Sequence, residues 1–239
     1  IGTKCFFPFS DGVNDRGLGR KHIMESVNHT LRRLRMDYID VMQFHRFDPE
    51  TPMEETVRAI DDLIRQGKVL YWGVSEWPAA QIARACHVAK EWGCCLPVSN
   101  QPCYNMLYRQ IEQHVIPTCE QYGLGQVVFS PLAQGILTGK YRPGHPAPEG
   151  SRGADETSNM FMGRDLQDDC LTKVQELAGY AEGLGCTVGQ LALAWCLRMP
   201  NVSSVIVGAT STAQIEENAK SSGLEFGQDV WDRCEAILA

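Results

Sequence analysis

A (β/α) barrel is the fold class that the sequence predicts, and three observations carry the prediction. Short apolar runs alternate with stretches of helical period six times along the chain, which gives a parallel sheet joined by right-handed crossovers. No strand is followed by a Gly-x-Gly-x-x-Gly turn. Gly123-Leu124-Gly125 and Gly183-Leu184-Gly185 lack the third glycine and each follows a helix, so a doubly wound dinucleotide fold is not supported. Six strands are two short of a closed eight-stranded barrel. The chain opens at Ile1 inside a strand pattern and finishes on a covering helix, so two N-terminal βα units, roughly 60 to 80 residues at about 30 per unit, are expected to be absent. Residues 1–239 are otherwise read as one domain.

The elements follow in order. Ile1 to Phe7 reads as a strand interrupted by Lys4, and a Gly/Asn/Asp loop leads to a helix through Ile23, Val27, Leu31 and Leu34, whose arginines gather at its C-terminal end. Tyr38 to His45 is the second strand. Thr51-Pro52-Met53-Glu54 reads as a capping box with proline at the first helical position, opening a helix to Gly67. Val69 to Ser75 is the third strand; Pro78 opens its helix and Gly93 closes it. Leu96 to Gln101 is the fourth, followed by a helix from Tyr108 to Tyr122 that Pro117 should bend or restart. Gln126 to Ser130 is the fifth. Residues 141–164 are rich in Gly, Pro and Ser and too long for an ordinary connection, so they are either disordered or a functional flap. Helices over about 165–184 and 187–198, the second with its own capping box from Thr187 to Gln190, precede a buried strand ending at Gly208. The hydroxyl-rich turn after it starts a helix with a further capping box, Ser211 to Gln214, and a last helix runs near residues 228–238.

Composition limits the function. Hydrophobic residues make up 44% of the 239, enough for a large core. A net charge of −7 with no extended basic block argues against nucleic acid and anionic membrane as partners. The ten cysteines are scattered without a Cys-x-x-Cys and read as thiols of a reducing, cytoplasmic compartment; no membrane span or signal peptide pattern occurs. The histidines lack metal-ligand spacing.

In a barrel the chemistry sits at the C-terminal ends of the strands. Those ends carry Lys4, His45, Ser75 with Glu76 and Trp77, Asn100 with Gln101, Ser130, and Gly208 with Thr210. Lys4 inside an apolar strand calls for a carboxylate partner, unless it faces water at a frayed terminus. His45 is either a site residue or a capping loop histidine. The turn after Gly208 is either an anion site at a helix N-terminus or a plainly capped βα turn.

Ile-Gly-Thr-Lys4, Arg-Lys-His-Ile-Met-Glu-Ser from Arg20, Asp-Tyr-Ile-Asp-Val-Met-Gln-Phe-His45, Gly-Lys-Val-Leu-Tyr-Trp-Gly-Val-Ser from Gly67, Phe-Ser-Pro-Leu-Ala from Phe129 and Leu-Thr-Gly-Lys-Tyr from Leu137 together resemble the aldo-keto reductases. Asn-x-x-Gly-Leu-x-Arg-Lys-His from Asn14 and Thr-Pro-Met-Glu-Glu-Thr-Val-Arg-Ala from Thr51 are similar to the branch that contains the voltage-gated potassium channel β subunits and their bacterial and plant relatives.

The resemblance implies a (β/α)8 barrel that binds NADP(H) and moves a hydride to an aldehyde or ketone. It implies an acid-base tetrad of Asp, Tyr, Lys and His, of which Lys4 and His45 match the last two; the Asp and Tyr belong to a βα unit outside this sequence. Ser75 and Gln101 match positions at the nicotinamide carboxamide, and Phe129 an aromatic that stacks on that ring. Ser130, Pro131, Leu132 and Ala133 match the pyrophosphate loop. Lys140, Arg152, Thr210 and Gln214 match adenosine and 2′-phosphate contacts, reached from the Gly208 turn, with Glu217 and Asn218 on the adenine side. Residues 141–164 then become a cofactor-covering loop. Glu76 departs from the channel subunits, which have Arg there. A small carbonyl substrate, a possible homo-tetramer and a possible channel partner are also implied. With two units absent, the strands at Ile1 to Phe7 and Val202 to Gly208 would be open edges, and the chain alone is expected to be poorly soluble or inactive.

Overall fold

A computed structural model describes residues 1–155, 157, 159, 162–163 and 165–239. It contains β1 (Gly2–Cys5), α1 (Arg20–Leu34), β2 (Ile39–Phe44), α2 (Met53–Arg65), β3 (Val69–Val74), α3 (Ala79–Glu91), β4 (Ser99–Asn100), α4 (Val115–Tyr122), β5 (Gly125–Phe129), α5 (Asp168–Gly183), α6 (Val188–Leu197), β6 (Val202–Ile206), α7 (Thr212–Ala219) and α8 (Gln228–Leu238). The strands form one sheet in sequential order, β1-β2-β3-β4-β5-β6. Every pairing from β1/β2 to β4/β5 is parallel. Sequential parallel strands alternating with helices are the arrangement of a (β/α)8 barrel, here with six strands.

Two compact units can be distinguished: Ile1–Pro102 with Ile111–Val127, and Cys103–Gln110 with Val128–Ala239. In the first, the period-2 alternation of the strands divides their side chains between two faces. Cys5, Met42, Phe44, Trp72 and Val74 share the face that joins Ile23 and Val27 of α1, Val57 and Ile60 of α2, and Ile82 and Ala85 of α3 in one core. Full burial of each large apolar side chain stabilises by roughly 1.5–3 kcal/mol. Lys4, Gln43, His45, Gly73, Ser75, Ser99 and Gln101 occupy the opposite face, so alternation alone delivers the polar set to one side of the sheet. In the second unit α5 packs on α6 and α8. Leu191 to Cys196 are buried without a break, marking α6 as a core helix with no solvent stripe. Its Thr187–Gln190 capping box forms as predicted.

Several local expectations are corrected. Thr51 does not cap α2: its hydroxyl donates to Asp48 Oδ2 at 2.8 Å, and Pro52 occupies the cap position without a side-chain bond. Pro117 does not bend a long helix. A short 3₁₀ turn at Gln110–Glu112 precedes α4, and Pro117 sits in the first turn of α4, where its missing N–H costs nothing. The strand ending at Gly208 is buried only at Val202: Ile206 and Val207 are exposed, and β6 is the last strand of the sheet among the described residues. The Ser211 box is half formed. Ser211 Oγ accepts from the Gln214 N–H, but the Gln214 side chain turns to the N–H of Thr210 at 2.7 Å.

Candidate functional site

In the first unit the backbone ladder continues past the strand ends and sets four side chains next to one another. His45 N–H donates to Cys5 O at 3.0 Å, Ser75 N–H to Phe44 O at 2.9 Å and Gln101 N–H to Val74 O at 2.8 Å. Lys4, His45, Ser75 and Gln101 therefore stand at the C-terminal ends of four neighbouring strands, the edge where barrel chemistry resides. Ser75 and Gln101 are buried, and the Ser75 hydroxyl donates to Gln101 O at 2.7 Å, locking the two strand ends together.

Lys4 faces solvent, and no carboxylate of a described residue pairs with it, so the expected partner is not met within the described chain. Partial desolvation and then the nearby Arg46 guanidinium hold its ammonium pKa below the usual lysine range. Desolvation, Arg46 and Lys4 likewise hold the His45 imidazole below its ordinary value, so the neutral ring prevails at neutral pH. The Phe7 ring meets His45 edge-on at 4.9 Å, and Arg46 donates to His45 O at 2.6 Å. Arg46 is the residue that strand-end reasoning missed here: it lies one position past the strand end yet sets the positive field on both Lys4 and His45. Glu76 takes a left-handed φ of 57° directly after Ser75, a conformation that costs a non-glycine residue about 1–3 kcal/mol and gathers at functional sites.

In the second unit Phe129 ends β5, and the chain turns sharply at Ser130, with φ 53°. Ala133, Gln134 and Gly135 follow at φ 46°, 58° and 99°. Such left-handed backbone turns N–H groups to one side and forms concavities that suit anions. Two contacts hold the turn: Asn105 Nδ2 donates to Ser130 O at 2.9 Å, and Gln134 Nε2 donates to Ser130 Oγ. Pro131 and Ala133 are buried while Phe129, Ser130 and Leu132 are partly accessible. Asn105, itself buried, is a positioning residue with no local signal; its role arises from a contact across 25 positions.

Tyr141 touches Lys140 and tethers the turn that carries Arg152. The Lys140 ammonium lies 5.2 Å from the Tyr141 ring, and the Tyr141 hydroxyl accepts the Gly153 N–H at 3.0 Å, tethering the short Arg152–Ala154 turn. Gln175 on α5 fixes the same stretch by donating to Gly139 O and Tyr141 O, each at 2.9 Å. Both cations are exposed, and neither forms an ion pair with a described residue. Gly208 and Thr210 lie exposed between β6 and α7, with Gln214 bonded to Thr210 and with Glu217 and Asn218 half-buried on α7. Gln190 of α6 donates to Glu217 O at 3.1 Å and seats α7. The loop reading for residues 141–164 falls partly on Glu156, Ser158, Met160, Phe161 and Arg164, which lie outside the described residues.

These donors fit a phosphorylated nucleotide: a left-handed turn, two cations without an ion pair among the described residues, and a serine and a threonine hydroxyl in the same unit. The Lys140 side chain folds over Gly135, where a Cβ would stand 3.2 Å from it, and the φ of 99° at this position favours glycine.

The profile described as "Aldo/keto reductase family" matches residues 1–239. A probable voltage-gated potassium channel subunit beta of Oryza sativa subsp. japonica is 46% identical over 241 aligned residues, covering 100% of this chain and 73% of that protein. One from Arabidopsis thaliana is 48% identical, covering 92% of this chain and 67% of its own length. A putative voltage-gated potassium channel subunit beta of Schizosaccharomyces pombe is 46% identical, covering 92% and 65%. Among the described residues no helix is long and apolar enough to cross a membrane.

Proposed function

The chain belongs to the aldo/keto reductase family, and from that premise we propose that it is an NADP(H)-dependent oxidoreductase acting on aldehyde or ketone carbonyls, with residues 1–239 forming one barrel domain. The observation that carries the reading is the side-by-side placement of Lys4 and His45 at adjacent strand ends, with Ser75 and Gln101 completing the row. Lys4 holds positive charge where a carbonyl oxygen develops negative charge, and neutral His45 offers a ring N–H to the same oxygen. The bound nicotinamide supplies the hydride. Ser75 and Gln101 orient its carboxamide, and Phe129 stacks on the ring. Ser130 to Ala133 take the pyrophosphate, while Lys140, Arg152, Thr210 and Gln214, reached past Gly208, take the phosphorylated adenosine with Glu217 and Asn218 on the adenine. Lys140 and Arg152 favour NADP(H) over NAD(H), because a 2′-phosphate adds a dianion for two cations. A cytoplasmic location goes with this reading, supported by ten free thiols.

A second reading is favoured by the relatives named as potassium channel β subunits: a tetrameric, nucleotide-holding regulatory subunit with slow or no turnover. Fluorescence titration with NADPH and NADH, combined with transfer of deuterium from 4-deuterated NADPH to 4-nitrobenzaldehyde, decides between them. Deuterium in the alcohol, with a rate lowered about 10²- to 10⁴-fold by Lys4→Met, supports the reductase. Tight NADPH binding by a tetramer without deuterium transfer supports the regulatory subunit, and no NADPH binding sinks both.

A further inference from the structure

Tyr141 closes the Leu-Thr-Gly-Lys-Tyr stretch, and the proposed chemistry gives it no task. Its ring is buried, whereas Lys140 before it and Arg152 further along are exposed. Gln175 of α5 donates through Nε2 to the carbonyls of Gly139 and Tyr141, each at 2.9 Å, so the residue hangs from a long helix. The Gly153 N–H reaches its hydroxyl across 12 positions at 3.0 Å. Gly153 makes that approach possible: a Cβ there would stand 2.7 Å from Tyr141 Cε1, 3.2 Å from Cζ and 3.3 Å from the Ala147 Cβ. Its φ is not left-handed, so room beside the ring and not backbone freedom is what calls for glycine.

Further bonds fold the turn that carries Arg152 on itself. Ser151 N–H donates to Pro148 O at 3.0 Å, Ala154 N–H to Ser151 O at 3.1 Å, Asp155 N–H to Arg152 O at 3.2 Å and Asn159 Nδ2 to Gly153 O at 3.5 Å. Such local bonds shape a turn without fixing where it sits. The tyrosine hydroxyl supplies a fixed point, because its bond joins the turn to a buried ring whose backbone is held by α5. Placement matters more for arginine than for lysine. A guanidinium grips a phosphate with a planar, two-pronged fork that demands orientation, whereas an ammonium on a flexible stem serves as a point charge. Holding the turn in place before the ligand arrives removes an ordering cost on binding.

We propose that Tyr141 is a positioning residue that sets cofactor preference: through the Gly153 N–H its hydroxyl holds the Arg152 turn where the guanidinium meets a 2′-phosphate. The inference rests on the proposed reading of Lys140 and Arg152 as contacts of the phosphorylated adenosine. In the full chain, NADPH and NADH dissociation constants are measured by fluorescence titration, with thermal melting as a control for folding. Tyr141→Phe keeps the ring under Lys140 and removes only the hydroxyl. It is expected to weaken NADPH about three- to tenfold, the range of one hydrogen bond, and to leave NADH within about twofold. Gly153→Ala, which drives the turn off the ring, should do the same and takes over each test where Tyr141→Phe fails to fold. Placed on Arg152→Ala, Tyr141→Phe should add nothing, since two changes acting through one group are not additive. In ¹⁵N-glycine-labelled protein the Gly153 amide, assigned by its loss in Gly153→Ala, should exchange with solvent about tenfold faster in Tyr141→Phe. An unchanged NADPH affinity, equal weakening of both nucleotides, an undiminished effect on Arg152→Ala or an unchanged Gly153 exchange overturns the proposal and leaves the cofactor reading in place. An unaltered chain that binds no NADPH overturns the cofactor reading and the proposal with it.

Discussion

Asp48 illustrates how one carboxylate organises a loop that the apolar pattern leaves blank. It accepts from the Leu18 N–H at 2.7 Å, the Glu50 N–H at 2.9 Å and the Thr51 hydroxyl at 2.8 Å, and is itself buried. Burial alone would raise its carboxyl pKa; the hydrogen bonds from Leu18, Thr51 and Glu50 more than offset that and leave it below the usual range. Its stabilising contribution is thus present above the unfolded pKa and is lost as pH falls through the lower folded one. Asp48→Ala should cost on the order of 2–4 kcal/mol in urea unfolding at neutral pH, since three donors lose their acceptor at once. The histidines act with the same proton balance, in a higher pH window. Desolvation foremost keeps the His22 and His45 imidazoles below their ordinary value, so the unfolded chain binds more protons just below pH 6.5. Stability is full above that value and declines as pH falls through the folded pKa values. Urea midpoints should accordingly drop between pH 7.5 and 5.5, and His45→Gln should make the drop shallower.

At the scale of elements, the parallel strands tolerate polar side chains on one face because the other face carries the core. Gly73 is where this division is tightest. Gly73→Ala would press a methyl against Ser99 O, a backbone atom that cannot step aside, so β3 and β4 must separate. A loss of about 1–3 kcal/mol is expected, with Lys4 and His45 resonances displaced in NMR spectra. The α6 cap offers a milder comparison: Thr187→Ala should cost about 1 kcal/mol in the same unfolding assay, as both arms of the box are made. Helices and their caps were legible from sequence where the partner lay within a few residues, as at Thr187 and Gln190. Thr51 carries the same local signature but caps nothing, because Asp48 competes for its hydroxyl.

Across the whole molecule the thiols report on burial. Cys5, Cys86, Cys119, Cys196 and Cys234 are buried, and burial pushes their pKa values up to about 11 or 12. Cys95 is exposed. A thiol reagent at pH 8 should modify Cys95 first and reach those five only on unfolding, and mass spectrometry of quenched digests reads the order. Function at this scale is expected to follow the cations: Lys140→Ala with Arg152→Ala should weaken NADPH binding about tenfold or more while changing NADH binding little, which fluorescence titration measures.

The sequence by itself determined the alternation of strands and helices, the barrel class, and the residues that end each strand, because these depend on period and on neighbours a few positions apart. It also carried the family, through matched motifs spread along the chain. The tertiary structure alone decided what joins distant positions: the row formed by Lys4, His45, Ser75 and Gln101, the hold of Asn105 on Ser130, the tether from Tyr141 to Gly153, and the reach of Gln43 over Gly73 to Ser99. The physical reason is that a hydrogen bond is fixed by where two strands or loops are brought side by side, and hydrophobic period specifies which face a residue takes but not which partner waits there.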